Sequence, residues 1–74
     1  MSKLPVLSAK ELCKLLASFG YIFDHQTGSH IILRNENYPY RRLTVPNHKE
    51  IAKGTLRNIM REAGISNQEF LELH

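Results

Sequence analysis

The spacing of apolar residues is helical at the start of the chain, strand-like in the middle and helical again towards the end. Leu12, Leu15, Leu16 and Phe19 recur at i, i+3, i+4 and i+7, the stripe that an amphipathic helix buries on one face. Lys10, Glu11, Lys14 and Ser18 fall on the opposite face. Ser8, with Glu11 three places later, forms a capping box. Its hydroxyl accepts from an orphan backbone N–H of the first turn, and the glutamate reaches back to the serine's own N–H. Gly20 is placed to end this helix, since glycine takes the left-handed C-cap conformation without steric cost. Pro5 holds the lead-in extended.

Tyr21–His25 is aromatic and apolar and reads as a strand. Gln26, Thr27 and Gly28 make a turn, and Ser29–Arg34 a second strand. Asn35–Tyr40 is a loop with Pro39 in it, and Arg41–Val45 is a third strand closed by Pro46. Connections this short make the strands antiparallel neighbours. In the second strand Ile31, Ile32 and Leu33 are all apolar, so alternation alone does not choose the buried set. Turning Ile31 and Leu33 inward leaves His30 and Arg34 outward and avoids burying two polar groups.

Pro46–Lys53 is a connector carrying His48. A second helix follows, with Thr55 as its expected N-cap, a stripe of Leu56, Ile59, Met60 and Ala63, and Gly64 as its stop. Ser66 and Glu69 repeat the capping box before a short last helix that offers Phe70, Leu71 and Leu73 for packing. Helices flanking a three-stranded meander must bury their stripes on one face of the sheet. The expected fold is therefore α+β: helix, three antiparallel strands, helix and a short C-terminal helix, close in topology to the double-stranded-RNA-binding domain.

A chain of 74 residues has room for one core, so 1–74 is read as a single domain. Ten Lys and Arg against seven Asp and Glu give a formal charge of +3, which permits a nucleic-acid partner without demanding one. The lone Cys13 excludes an internal disulfide and a multi-cysteine zinc site, and fits a reducing cytoplasm. It reads as a small buried thiol. Lys10, Glu11 and Lys14 break the apolar run that a signal peptide needs, and no stretch approaches the ~20 apolar residues of a membrane span. The chain is too short for a dinucleotide fold and carries no phosphate-binding glycine loop. No cofactor, membrane or small-molecule ligand is expected.

The seven carboxylates are scattered, and His25, His30, His48 and His74 show no metal-ligand spacing, so no metal site is expected. The informative segment is Gly28-Ser29-His30. A glycine before a polar pair lets a phosphate approach the backbone, and the histidine exchanges protons near neutral pH. Arg34 shares His30's side of the strand, and Arg41 and Arg42 come in on the adjacent one. An imidazole with guanidinium groups nearby suits metal-free cleavage of RNA: the histidine deprotonates a ribose 2′-hydroxyl, and the arginines stabilise charge developing on phosphate. Lys53 and Arg57 flank a helix N-terminus, which favours anions. Tyr38 and Tyr40 offer faces for base stacking. His48 is a local hydrogen-bonding residue, a phosphate-positioning group or a proton donor, and His25 is read as structural or incidental. The same residues also describe a solvated polar face, a non-catalytic RNA-binding module or a protein-interaction domain.

The order of short motifs resembles the HicA toxins, small messenger-RNA endoribonucleases of bacterial and archaeal toxin–antitoxin pairs. The matching pieces are Leu4-Pro5-Val6-Leu7-Ser8, Phe19-Gly20-Tyr21, Gly28-Ser29-His30, Thr44-Val45-Pro46 with His48, Lys53-Gly54-Thr55-Leu56-Arg57 with Ile59, Ala63-Gly64-Ile65-Ser66 and Glu69-Phe70. The resemblance implies the fold reached above, metal-independent cleavage of messenger RNA, His30 as the catalytic histidine, and a HicB antitoxin that binds the toxin and blocks that histidine. It assigns no second catalytic residue. The RNA-binding set of Gly28, Ser29, Arg34, Arg41, Arg42, Lys53 and Arg57 comes from the residues themselves.

Overall fold

The computed structural model describes residues 6–73, with the side chain of Leu73 left aside. Pro5 and His74 fall outside these residues. The element order is α1 (Ala9–Ala17), β1 (Tyr21–Thr27), β2 (His30–Asn35), β3 (Arg42–Pro46), α2 (Lys53–Ala63) and α3 (Asn67–Leu73). This is the expected α+β arrangement. The strands form one antiparallel sheet in the order β1-β2-β3.

Helix α1 starts as its sequence dictates. The Glu11 N–H donates to Ser8 Oγ at 3.1 Å, and the Ser8 N–H donates to Glu11 Oε1 at 3.0 Å. Leu12 and Leu16 are completely buried, with Leu15 and Phe19 packed at the core margin. The helix ends earlier than expected. Ser18 is its C-cap, in right-handed conformation. The N–H groups of Ser18, Phe19 and Gly20 then reach back three residues to the carbonyls of Leu15, Leu16 and Ala17, a tightening usual in a last turn.

Gly20 follows with φ at 91°, and a Cβ there would sit 2.9 Å from Asn37 Nδ2 and 3.0 Å from Asn35 Oδ1. The Asn35 side chain is held at both ends: its Nδ2 donates to the Phe19 carbonyl, and its Oδ1 accepts from the Asn37 backbone N–H. Gly20→Ala is therefore expected to destabilise the domain by about 1–3 kcal/mol. A thermal melt reads this directly, and an unchanged melting temperature would show that the asparagines give way.

In β2 and β3, Ile31 faces Val45 and Leu33 faces Leu43. Leu33, Leu43 and Val45 are buried beneath Leu12 and Leu16 of α1, Leu56 and Met60 of α2, and Phe70 of α3. Helices α1 and α2 thus cover one face of the sheet, with Phe70 of α3 in the same core, and the described residues leave the other face open. Tyr21 lies on the covered side, and its hydroxyl donates to the Ala63 carbonyl at 3.5 Å. Helix α2 runs antiparallel to β3, ending beside Tyr21 and starting near the end of β3.

Helix α2 does not begin at Thr55. It begins at Lys53, with Ala52 as an N-cap that offers no side-chain hydrogen bond. The cause is tertiary. Ile51 is buried and its N–H donates to the Leu7 carbonyl at 2.8 Å, so the chain turns into the helix immediately after that anchor. The C-terminus follows its local code: Gly64 adopts φ 75°, and the Gly64 and Ile65 N–H groups cap the carbonyls of Arg61 and Met60. The Ser66–Glu69 capping box forms at the start of α3. No helix among the described residues is long and apolar enough to cross a membrane.

Candidate functional site

Gly28 and Ser29 form the tight turn from β1 into β2. Gly28 has φ 54° and nothing lies within 4 Å of where its Cβ would be. It is needed for the backbone conformation, and the space beside it is open. The Ser29 carbonyl accepts from the Asn47 N–H at 2.7 Å, tying the turn to the segment after β3. His30 is the first residue of β2 and is exposed. Its cross-strand neighbours are Thr27 and Pro46.

His30, Ile32 and Arg34 alternate onto the open face. Arg42 lies directly across from Arg34, and Thr44 across from Ile32. The two guanidinium groups thus leave the sheet at the far end from the imidazole. Along the strand His30 and Arg34 are roughly 13 Å apart at the backbone. No cation stands directly opposite His30.

Strand β1 contributes what the sequence did not foretell. Its pairing with β2 is regular through Phe23 and Leu33, then slips by one residue, so that His25 rather than Asp24 faces Ile32. This β-bulge sets two residues of β1 against one of β2. Asp24 and His25 meet there, with His25 Nδ1 2.7 Å from Asp24 Oδ2. The hydrogen bond from His25 holds the Asp24 carboxyl below the usual carboxylate range, helped by the charges of His25, Arg34 and Arg42 and opposed by slight burial. The field of the arginine pair therefore reaches Asp24. The sequence alone makes His25 structural or incidental. Adjacent residues of a regular strand point to opposite faces, and only the bulge overrides this.

The remaining expected residues are spread over the molecule. Arg41 precedes β3 and turns away from the open face: its Nη1 donates to the Glu62 carbonyl at 3.2 Å, at the C-terminal end of α2. A cation there complements the helix dipole. Lys53 and Arg57 are exposed in the first turns of α2. They lie in the helix layer, at the same end of the molecule as His30. His48 is exposed in the connector, and its backbone carbonyl accepts from the Ala9 N–H at 2.9 Å. Tyr38 and Tyr40 are exposed beyond the arginine end of the sheet, their rings edge to face at 5.9 Å. Cys13 is half-buried, and burial pushes its thiol up, away from the ionised nucleophilic form.

A groove of about 560 Å³ runs between α1 and β1, lined by Cys13, Ala17, Phe23 and Ile31 with Lys10 and Lys14 at its rim. Its walls belong to the helix-covered side of the sheet. Among the described residues no three His, Cys, Asp or Glu side chains gather to hold a metal ion.

The open face thus carries an exposed imidazole at one end, an arginine pair at the other and a carboxylate–imidazole pair on the flanking strand. A family model described as the HicA toxin of bacterial toxin–antitoxin matches residues 9–65, from the first residue of α1 to the one after Gly64. No curated protein matches the chain.

Proposed function

The chain belongs to the HicA toxin family, whose members are generally RNA-cleaving toxins of toxin–antitoxin pairs, and on that premise we propose that it is a metal-independent endoribonuclease of messenger RNA with His30 as the general base. The observation that carries this reading is the exposure of the His30 imidazole on a sheet face that also presents Arg34 and Arg42. His30 takes the proton from a ribose 2′-hydroxyl. The 2′-oxygen attacks the adjacent phosphorus, and the bond from phosphorus to the 5′-oxygen breaks. The products are a 2′,3′-cyclic phosphate and a 5′-hydroxyl.

Arg34 and Arg42, some distance along the sheet, act on neighbouring phosphates of the strand and set its direction. The Gly28–Ser29 turn leaves room for the sugar–phosphate backbone beside His30. Lys53 and Arg57 extend the positive surface at that end. Arg41, engaged by the end of α2, adds charge at the opposite end. The inhibiting partner is a HicB-type antitoxin, which needs only to cover the open face to exclude RNA. The setting is the cytoplasm, where messenger RNA is translated.

The test is incubation of the purified protein with single-stranded RNA, and with DNA of the same sequence, in excess chelator. RNA is expected to be cut to fragments ending in cyclic phosphate, while DNA, lacking the nucleophile, survives. Intact RNA with salt-sensitive binding would instead identify a non-catalytic RNA-binding module.

A further inference from the structure

We propose that His25 is a second catalytic residue, the general acid that protonates the departing 5′-oxygen, with Asp24 as its positioning residue. This rests on the ribonuclease reading above and adds the half of the reaction that a base alone leaves undone. A sugar 5′-alkoxide is a poor leaving group, and donating a proton to it as the bond breaks is worth about 10²- to 10⁴-fold in rate.

The geometry comes from the bulge. His25 faces Ile32, and His30 is two residues before Ile32 on the same strand and the same face. The two histidines are therefore diagonal neighbours across adjacent strands, roughly 7–8 Å apart at the backbone. That spacing lets one phosphodiester sit between two imidazoles, one ring at the 2′-oxygen and the other at the 5′-oxygen, the two positions in line through phosphorus.

Asp24 decides which ring atom of His25 is available. An ionised carboxylate only accepts hydrogen bonds, so the 2.7 Å contact makes Nδ1 the donor. Nε2 is then the nitrogen left to meet substrate. The charged and titratable groups around His25 on this face are Asp24 on its own strand, His30 and Arg34 on β2, and Arg42 on β3. By contrast, His48 lies in the connector outside the sheet face, and no hydrogen bond among the described residues orients its ring.

The step balances. His30, entering neutral, accepts the 2′-hydroxyl proton, the bond from O2′ to phosphorus forms, the bond from phosphorus to O5′ breaks, and His25, entering with both ring nitrogens protonated, gives its Nε2 proton to O5′ and keeps the Nδ1 proton that it donates to Asp24. The pair ends with its protons exchanged between rings. Both rings are exposed, and water restores the starting state.

The experiment compares wild type, His25→Ala, His25→Gln, Asp24→Asn and His30→Ala on two oligonucleotides, each with one ribonucleotide. One has the natural 5′-oxygen at the scissile linkage, and the other has sulfur in its place. A thiolate leaves without a proton. The expected result is that both His25 variants lose about 10²-fold or more on the oxygen substrate and stay within a few-fold of wild type on the sulfur substrate. Asp24→Asn should show a smaller loss that also vanishes with sulfur. His30→Ala should be slow on both. Circular dichroism confirms that each variant is folded, and His25→Gln keeps an exposed polar side chain of similar size.

Equal losses on both substrates, or no loss on oxygen, would overturn the role of His25. With His30→Ala still slow on both, that outcome leaves the ribonuclease reading standing. A wild-type protein that cuts neither substrate would overturn both.

Discussion

His30→Ala is expected to lower RNA cleavage by about 10²- to 10⁴-fold while leaving the fold intact. The two halves of that expectation have separate causes. The imidazole is exposed and flanked across the sheet by Thr27 and Pro46. It is not part of the buried core, so its loss should change stability by no more than about 0.5 kcal/mol. The chemistry, by contrast, loses the group proposed to take the 2′-hydroxyl proton. Cleavage rates with a single-ribonucleotide substrate, set beside a thermal melt, separate the two quantities. A variant that cuts at the wild-type rate would show that another group takes the 2′-proton.

The second large effect is expected at the other extreme of the fold. Phe70→Ala should cost about 3–5 kcal/mol, against a total stability of ~5 kcal/mol for so small a domain. Phe70 is 0% exposed and belongs to the one core that joins all three helices to the sheet. It lies in α3, beyond the residues 9–65 that match the family model. The last helix is thus a structural part of this domain even though the match to the family model stops before it. Urea denaturation measures the effect. A loss below about 1 kcal/mol would mean that α3 is an appendage whose place the core can fill by repacking.

What was legible in the sequence was what is locally encoded. Both Ser-x-x-Glu capping boxes form at their helix starts, because all their atoms lie within four consecutive residues. The Leu12–Leu16 stripe and the αL stop at Gly64 are local in the same sense. The inward choice of Ile31 and Leu33 followed from the cost of burying His30 and Arg34. The start of α2 was not legible, because it is set by the Leu7–Ile51 hydrogen bond, a contact between distant segments.

The site divides along the same line. His30 stood out through the Gly-Ser-His turn and the family resemblance. The arginines were expected close around it, but the hairpin register sends Arg34 and Arg42 to the far end of the sheet and Arg41 to the end of α2. His25 was missed because strand alternation places it on the face opposite Asp24, and nothing in Tyr21–Thr27 announces an extra residue in the ladder.

The bulge has one more consequence, for assembly. Among the described residues the sheet has three strands with β1 and β3 as its borders, and free borders invite other chains to zip on. The bulge breaks β1 into two short pieces, and Pro46 ends β3 with a residue that has no N–H to offer. The β1 border is thus no continuous template for strand addition, and that of β3 is short. Strand addition is thereby discouraged, and the side chains of the open face are left as the readier handle for a partner.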